Sequence, residues 1–213
     1  MPSAVDISNI ALVNIGAESL VTSIDPPDGS AEAGYCATFW PVARRAALEL
    51  ANPGFARKRA TLAETTNGSE VWSYAYAKPS DCLRPLRVLS ATTLTALLTG
   101  TDSTMDFILP DERDSADFTV EGSVIYTNEP EAVLIYTWDQ TDPTKYTPLF
   151  TVALGQLLSS YLAGPIIKGR EGAGIAAQWA QMGTNTLVSA AVLEANATSE
   201  RNDQVPAALR ARA

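Results

Sequence analysis

Residues 29–62 read GSAEAGYCATFWPVARRAALELANPGFARKRATL, and the first two thirds of this stretch decide the architecture. Tyr35, Phe39, Val42, Ala46 and Leu50 recur at i, i+4, i+7, i+11 and i+15, one stripe of a 3.6-residue period. Thr38, Arg45, Glu49 and Asn52 fall on the other side. The spacing predicts an amphipathic helix whose first free N–H is met by a side-chain oxygen of Asp28 or Ser30. Pro41 lies inside the pattern, removes one backbone donor and predicts a kink. Asn52-Pro53-Gly54 predicts the end of the helix, and Phe55-Ala56 opens an extended segment carrying Arg57, Lys58 and Arg59.

Upstream, Ser8 to Ile15 reads as a second, shorter helix, capped by Asp6 or Ser8 and stopped at Gly16. Ile7, Ala11 and Ile15 share a face, with Ile10 and Leu12 on its flanks. The turn-rich link from Ser23 to Gly29 predicts that these two helices form an antiparallel pair. Downstream, from Phe55 to Gln140, helical periodicity fades and Pro, Gly and Thr become frequent. Val71 to Tyr76, Leu83 to Leu89, Asp106 to Leu109, Asp117 to Val120 and Ser123 to Tyr126 read as strands. Glu121-Gly122 marks a tight hairpin between the last two. Leu94 to Leu98 fits strand or helix, and the apolar run Ala132 to Trp138 reads as a central strand.

Helical spacing returns at Thr147-Pro148, a cap followed by proline at the first helical position. Phe150, Leu154, Leu157, Leu158 and Tyr161 form its stripe, and Gly164-Pro165 predicts its stop. Lys168 to Gly174 reads as a glycine-rich link before a last helix reaching about Asn196, with Ile175, Trp179, Met182 and Leu193 on its apolar side. The fold expected is therefore α+β: an antiparallel helical bundle scaffold with an inserted, mostly antiparallel β-sheet subdomain. Residues 1–54 and 146–196 supply the bundle, 55–145 the insertion and 197–213 a flexible tail. There is no internal repeat.

Composition narrows the function. The chain of 213 residues is 46% hydrophobic and 18% charged, enough apolar material for a packed core. Its net charge of −9 opposes a dedicated nucleic-acid binder, which needs a basic face to release phosphate counterions. It has no histidine, so neither a serine triad nor a histidine-ligated metal can be built from it. Cys36 and Cys82 show no disulfide framework or zinc spacing and read as buried thiols. The first twenty residues lack a basic segment and carry Asp6, which predicts no signal peptide. Polar residues interrupt 149–167, so no run of membrane length is expected, and synthesis is expected in a cytoplasm.

Five groups of residues carry candidate chemistry or contacts. Gly172-x-Gly174-x-x-Ala177 resembles a dinucleotide fingerprint, but the expected preceding element is a helix, which makes it an inter-helix loop. Asp111, Glu112, Asp114 and Asp117 form an acidic cluster without the spacing or glycine of a calcium loop. Trp72, Tyr74 and Tyr76 suit base or sugar stacking, or, more commonly for alternate aromatics on a strand, one core face. Arg44, Arg45, Arg57, Lys58 and Arg59 are either solvated charge or a surface for an acidic partner. The polar tail with Arg210 and Arg212 is either a frayed end or a segment that orders on another subunit.

The order of parts resembles the head-to-tail adaptor family of tailed bacteriophages, the tail tubular protein A-like proteins. Ile10-Ala11-Leu12 and Ile15-Gly16-Ala17, then Ile24-Asp25 and Asp28 to Ala33, carry its beginning. Phe39 to Arg44, Ala47-Leu48 and Phe55 to Leu62 follow. Trp72 to Tyr76 and Pro79 to Arg84 match next. Phe118 to Gly122, Tyr126 to Glu129, Tyr136, Asp142-Pro143, Pro148 to Phe150 and Ala163 complete it. Where family members often have a tryptophan after the proline, Gly54 follows Pro53, and nothing after Thr198 matches.

The resemblance implies a structural virion protein with no catalytic residue, cofactor or metal. It implies a homo-oligomeric ring, a dodecamer, at the head–tail interface. The ring docks beneath the portal protein, presents a surface to the next tail protein and leaves an axial channel for DNA, which passes without specific binding. The acidic net charge suits such a wall. Arg57, Lys58 and Arg59 are then expected at a subunit contact, and the tail with Arg210 and Arg212 on the portal or a neighbour. A second expectation, from another class, is a tail-associated polysaccharide hydrolase using a carboxylate pair, Asp111 with Glu112 or Asp139 with Asp142. A third is a cytoplasmic scaffold of prophage origin.

Overall fold

The first helix begins at Ala4, capped by Ser3, four residues before the start expected from the sequence. Ser3 and Asp6 close a reciprocal capping box: the Asp6 N–H donates to Ser3 Oγ at 3.1 Å and the Ser3 N–H to Asp6 Oδ2 at 2.8 Å. The computed structural model describes residues 2–90 and 115–197, with side chains to residue 194. Helix α1 (Ala4–Asn14) buries Ile7, Ala11 and Leu12, and Gly16 at φ +70° turns the chain away, as expected. Ser8 is no cap; it is buried and donates to Ala4 O.

Helix α2 (Ala31–Ala51) starts at Ser30, whose Oγ accepts the Ala33 N–H at 3.1 Å, while Asp28 receives both the N–H and hydroxyl of Ser30. It runs through Pro41 and ends at Asn52, in the left-handed region at φ 47°. Its buried face differs from the expected stripe. Ala33, Cys36, Trp40, Ala43, Ala47, Leu48 and Ala51 face the core, whereas Val42 and Leu50 are half exposed. Small residues set the face, because they let α2 approach its neighbours closely.

Helix α3 (Pro148–Ile167) begins as expected, with Thr147 accepting the Phe150 N–H and Pro148 in the first turn. Gly164-Pro165 does not stop it; the helix continues for two further residues. Lys168, at φ +61°, is the whole connection to helix α4 (Gly169–Ala197), so the expected glycine-rich link is the first turn and a half of that helix. Contrary to the sequence expectation, α3 is long and apolar enough to cross a membrane by length and composition, with a mean hydropathy of 1.4. Here it is the hub of the bundle, with α1, α2 and α4 all packed on it. Helix α1 makes its main contact with α3 and only a minor one with α2, so the expected α1–α2 pair is not the organising unit.

Three glycines allow these approaches. A methyl group at Gly183 of α4 would stand 2.9 Å from Leu157 N, one at Gly172 3.0 Å from Ala163 O, and one at Gly155 3.0 Å from Ile10 Cγ2. Gly172 therefore serves helix packing, and the fingerprint-like spacing it begins is helical.

The β-rich part is two sheets rather than one, every strand pair in them antiparallel. Strands β1 (Arg57–Thr61), β7 (Val133–Trp138) and β4 (Cys82–Leu89) form the first, with β7 central as expected. Strands β2 (Ala63–Glu64), β3 (Tyr74–Ala77), β6 (Val124–Thr127) and β5 (Phe118–Glu121) form the second in that order. The β5–β6 hairpin turns on Gly122, at φ +59°, as its sequence signals. Trp72 lies before β3, and the expected strands Leu94 to Leu98 and Asp106 to Leu109 lie outside the described residues.

Two hydrophobic clusters result, and the fold is α+β. One joins all four helices. The other lies between the sheets, around Tyr76, Ile125, Leu134 and Tyr136. Phe55, Tyr146 and Phe150 pack ring against ring, with centroids 5.1 to 5.5 Å apart, where the chain leaves and re-enters the bundle. Beside them Arg44, nearly buried on α2, grips Asp139 with two 2.9 Å bonds just after β7.

Candidate interaction surfaces

Side chains along a strand alternate between faces, so β1 cannot present Arg57, Lys58 and Arg59 together. Register decides where each goes. Arg57 lies opposite Thr137, which lies opposite Arg84; Arg59 lies opposite Ile135, which lies opposite Arg87. One face of the first sheet thus carries two arginines on each edge strand, across a narrow central strip. Arg57, Arg59 and Arg84 are exposed and Arg87 is half-buried.

The scaffold end of this face meets the C-terminus of α2. Arg57 donates to Asn52 O at 3.3 Å and Arg84 to Glu49 O at 3.1 Å. Thr137 Oγ1, between them in register, donates to Asn52 Oδ1 at 2.7 Å. Carbonyls at a helix end carry partial negative charge and favour cations there. No carboxylate among the described residues pairs with Arg57, Arg59 or Arg84.

Lys58 points the other way. Its ammonium lies 2.7 Å from Asp81 Oδ2 and 3.6 Å from the centre of the Trp138 ring. Tyr136 donates to the other oxygen of Asp81 at 2.9 Å. The Lys58 hydrogen bond holds the Asp81 carboxyl below its usual range, while burial, then the bond to Asp81, pushes the Tyr136 phenol up to about 12. Lys58 is thus an internal partner of Asp81, and Arg84 and Arg87 take its place on the basic face. Arg210 and Arg212 lie outside the described residues.

A second surface is apolar. On the side of α4 turned away from Gly183, Leu187 and Ala190, the side chains of Met182, Val188, Val192 and Leu193 are 40 to 60% exposed. Leu149 of α3 joins Met182 in lining a shallow groove with Gln178, Gln181, Asn185 and Ser189. The sequence puts Met182 and Leu193 on the apolar side of the last helix with Ile175 and Trp179; the structure packs Ile175 and Trp179 against the core and leaves Met182 and Leu193 exposed.

Asp139 and Asp142 find structural partners. Asp139 is held by Arg44, with Arg45 at 3.7 Å, and Asp142 accepts the Thr144 N–H to cap a short 3-10 turn. Asp111, Glu112 and Asp114 lie outside the described residues, and Asp117 is exposed at the start of β5. Tyr76 is buried, donating to Glu129 O and stacking on Tyr74 at 6.3 Å, which matches the core-face reading of the aromatic alternation. Cys36 and Cys82 are buried free thiols, pushed up to about 11 chiefly by burial. No protein-family profile matches this chain, and no curated protein matches it.

Proposed function

We propose that this chain is a structural virion protein, a head-to-tail adaptor that assembles as a ring between the portal and the tail and leaves a channel for DNA. The observation that carries this reading is the outer side of α4. Along this 29-residue helix Met182, Val188, Val192 and Leu193 remain 40 to 60% exposed. Two apolar pairs, Met182 with Leu193 and Val188 with Val192, flank the polar strip of Gln178, Gln181, Asn185 and Ser189, and we read this exposed apolar area as a surface that a partner covers. In a ring the next protomer covers it, and the copies complete one another's bundles. The resemblance of residues 10–163 to the adaptor family supports the same reading and supplies the portal as the template.

The test is a pair of charges on that helix. Val188→Glu with Val192→Glu leaves the single-chain fold intact by circular dichroism, because both side chains are about half exposed. The variant loses ring formation on the portal encoded in the same genome. A variant that still forms a full ring there removes this surface, and the argument built on it, from the account.

A further inference from the structure

Asn67 and Gly68 lie in the loop that joins β2 to β3, and both are exposed. The Asn67 side chain folds back on this loop. Its Oδ1 accepts the Ser69 N–H at 2.9 Å, and its Nδ2 donates to Trp72 O at 2.7 Å. The first of these bonds closes a ring that contains the Gly68 nitrogen, which keeps the side-chain amide carbon beside the peptide N–H that follows it. The same bond draws electron density from that carbon. The Gly68 N–H itself donates to no protein atom among the described residues.

No other asparagine among the described residues combines these features. The chain has eight. The N–H groups that follow Asn9, Asn185 and Asn196 lie inside helices and are engaged in the backbone ladder. The N–H after Asn14 donates to Leu12 O, and the one after Asn128 donates to Thr127 Oγ1 at 3.4 Å. Asn52 is followed by Pro53, which has no N–H. Asn202 lies outside the described residues. Gly68 adds a second distinction, because without a Cβ its nitrogen is open to approach.

We propose that Asn67-Gly68 is a site of spontaneous modification by water, and that the modification loosens the loop around Trp72. The Gly68 nitrogen loses its proton to hydroxide and bonds to the Asn67 amide carbon. The bond from that carbon to Nδ2 breaks, and ammonia leaves with a proton taken from water. Water then opens the cyclic imide at either carbonyl, giving an aspartate or an isoaspartate. Either product lacks the amide N–H that holds Trp72 O, and sets a carboxylate against that carbonyl. Segment 64–77 gains a third acid beside Glu64 and Glu70, and it holds no lysine or arginine to offset it. Trp72, half-buried, then keeps only the 3.4 Å bond from its N–H to Ser69 Oγ. The reaction needs only this chain and water, so it stands apart from the adaptor reading.

Incubation of the full chain at mildly alkaline pH, followed by peptide mass mapping, tests the site. The peptide holding Asn67 acquires the mass of an amide-to-acid change first, while Asn128, also an exposed loop asparagine, stays intact. Gly68→Ala abolishes the change over the same period with unchanged circular dichroism, because a methyl group there meets only Tyr126 Oη at 3.9 Å. Chymotrypsin cuts after Trp72 several-fold faster in the aged chain and in Asn67→Asp than in the fresh chain. Asn67 reacting no sooner than Asn128, or Gly68→Ala reacting like the wild type, overturns the site. Cleavage of Asn67→Asp at the wild-type rate overturns the loosening.

Discussion

Gly183→Ala tests how the central helix hairpin is held together. In an exposed helical position alanine is better than glycine by about 1 kcal/mol. At Gly183 the added methyl would stand 2.9 Å from Leu157 N, 3.2 Å from Leu157 Cα and 3.3 Å from the Gln156 carbonyl carbon. Carbon contacts are optimal near 3.5–4.0 Å, and all three atoms are backbone, so no side chain can rotate away. Helices α3 and α4 must separate by several tenths of an ångström along a seam that also packs Leu187 and Ala190. Overpacking of this kind costs about 1–3 kcal/mol, and rigid backbone on both sides places it at the upper end. The net loss is roughly 2 kcal/mol after the propensity gain. Gly174→Ala, on the same helix with nothing within 4 Å of the new methyl, keeps only the gain of about 1 kcal/mol. The two variants make the same chemical change, so their unfolded-state terms cancel. Their difference of about 3 kcal/mol corresponds to roughly 6–12 °C in melting temperature for a chain of this length. Thermal melts by circular dichroism read it directly. Gly183→Ala melting at or above Gly174→Ala would refute the close-packed seam.

Three further outcomes follow from the geometry. Asp139→Asn leaves the nearly buried Arg44 without its bidentate carboxylate and lowers stability by about 3 kcal/mol in chemical unfolding; a loss under half a kilocalorie would show the pair to be incidental. Tyr136 has its phenol raised, so above pH 10 the unfolded chain releases its proton first and stability falls until the folded phenol ionises near 12. Tyr136→Phe flattens that fall in unfolding curves at stepped alkaline pH, and an unchanged slope contradicts the assignment. Cys36 and Cys82, buried and protonated, resist a thiol reagent at pH 8 until the chain unfolds; rapid labelling of native protein would refute their burial.

Where a residue's role is local, the sequence made it legible. Thr147-Pro148 opens α3, Asn52 closes α2, Gly122 turns a hairpin, and the run 132–138 yields the central strand β7. What depends on a neighbour was not legible. Gly164-Pro165 and Gly169 to Gly174 look like breakers, yet they lie in helices, and among them it is Gly172 that lets α4 sit against Ala163 and Ile167 of α3. The bulky stripe on α2 points partly to solvent because its small residues make the close contact.

The basic surface shows the same division. Arg57 and Arg59 stand out as a run with Lys58, but strand alternation turns Lys58 inward, and only register brings Arg84 and Arg87, twenty-five or more residues later, onto the face. The β-bulges between Cys82 and Arg84 and between Pro85 and Arg87 make this still harder to read, since they break the alternation that would have announced it. The exposed valines of α4 were hidden for a different reason: an apolar helix side looks the same whether its own chain or another covers it.

The most direct test of the adaptor reading is the native mass of the purified chain mixed with the portal ring encoded in the same genome. The account predicts a single complex in which a defined ring of copies sits on the portal, twelve if the family resemblance carries over, with the copy number read from the mass. A chain that leaves the portal ring at its own mass, even at high protein concentration and low salt, would contradict the account.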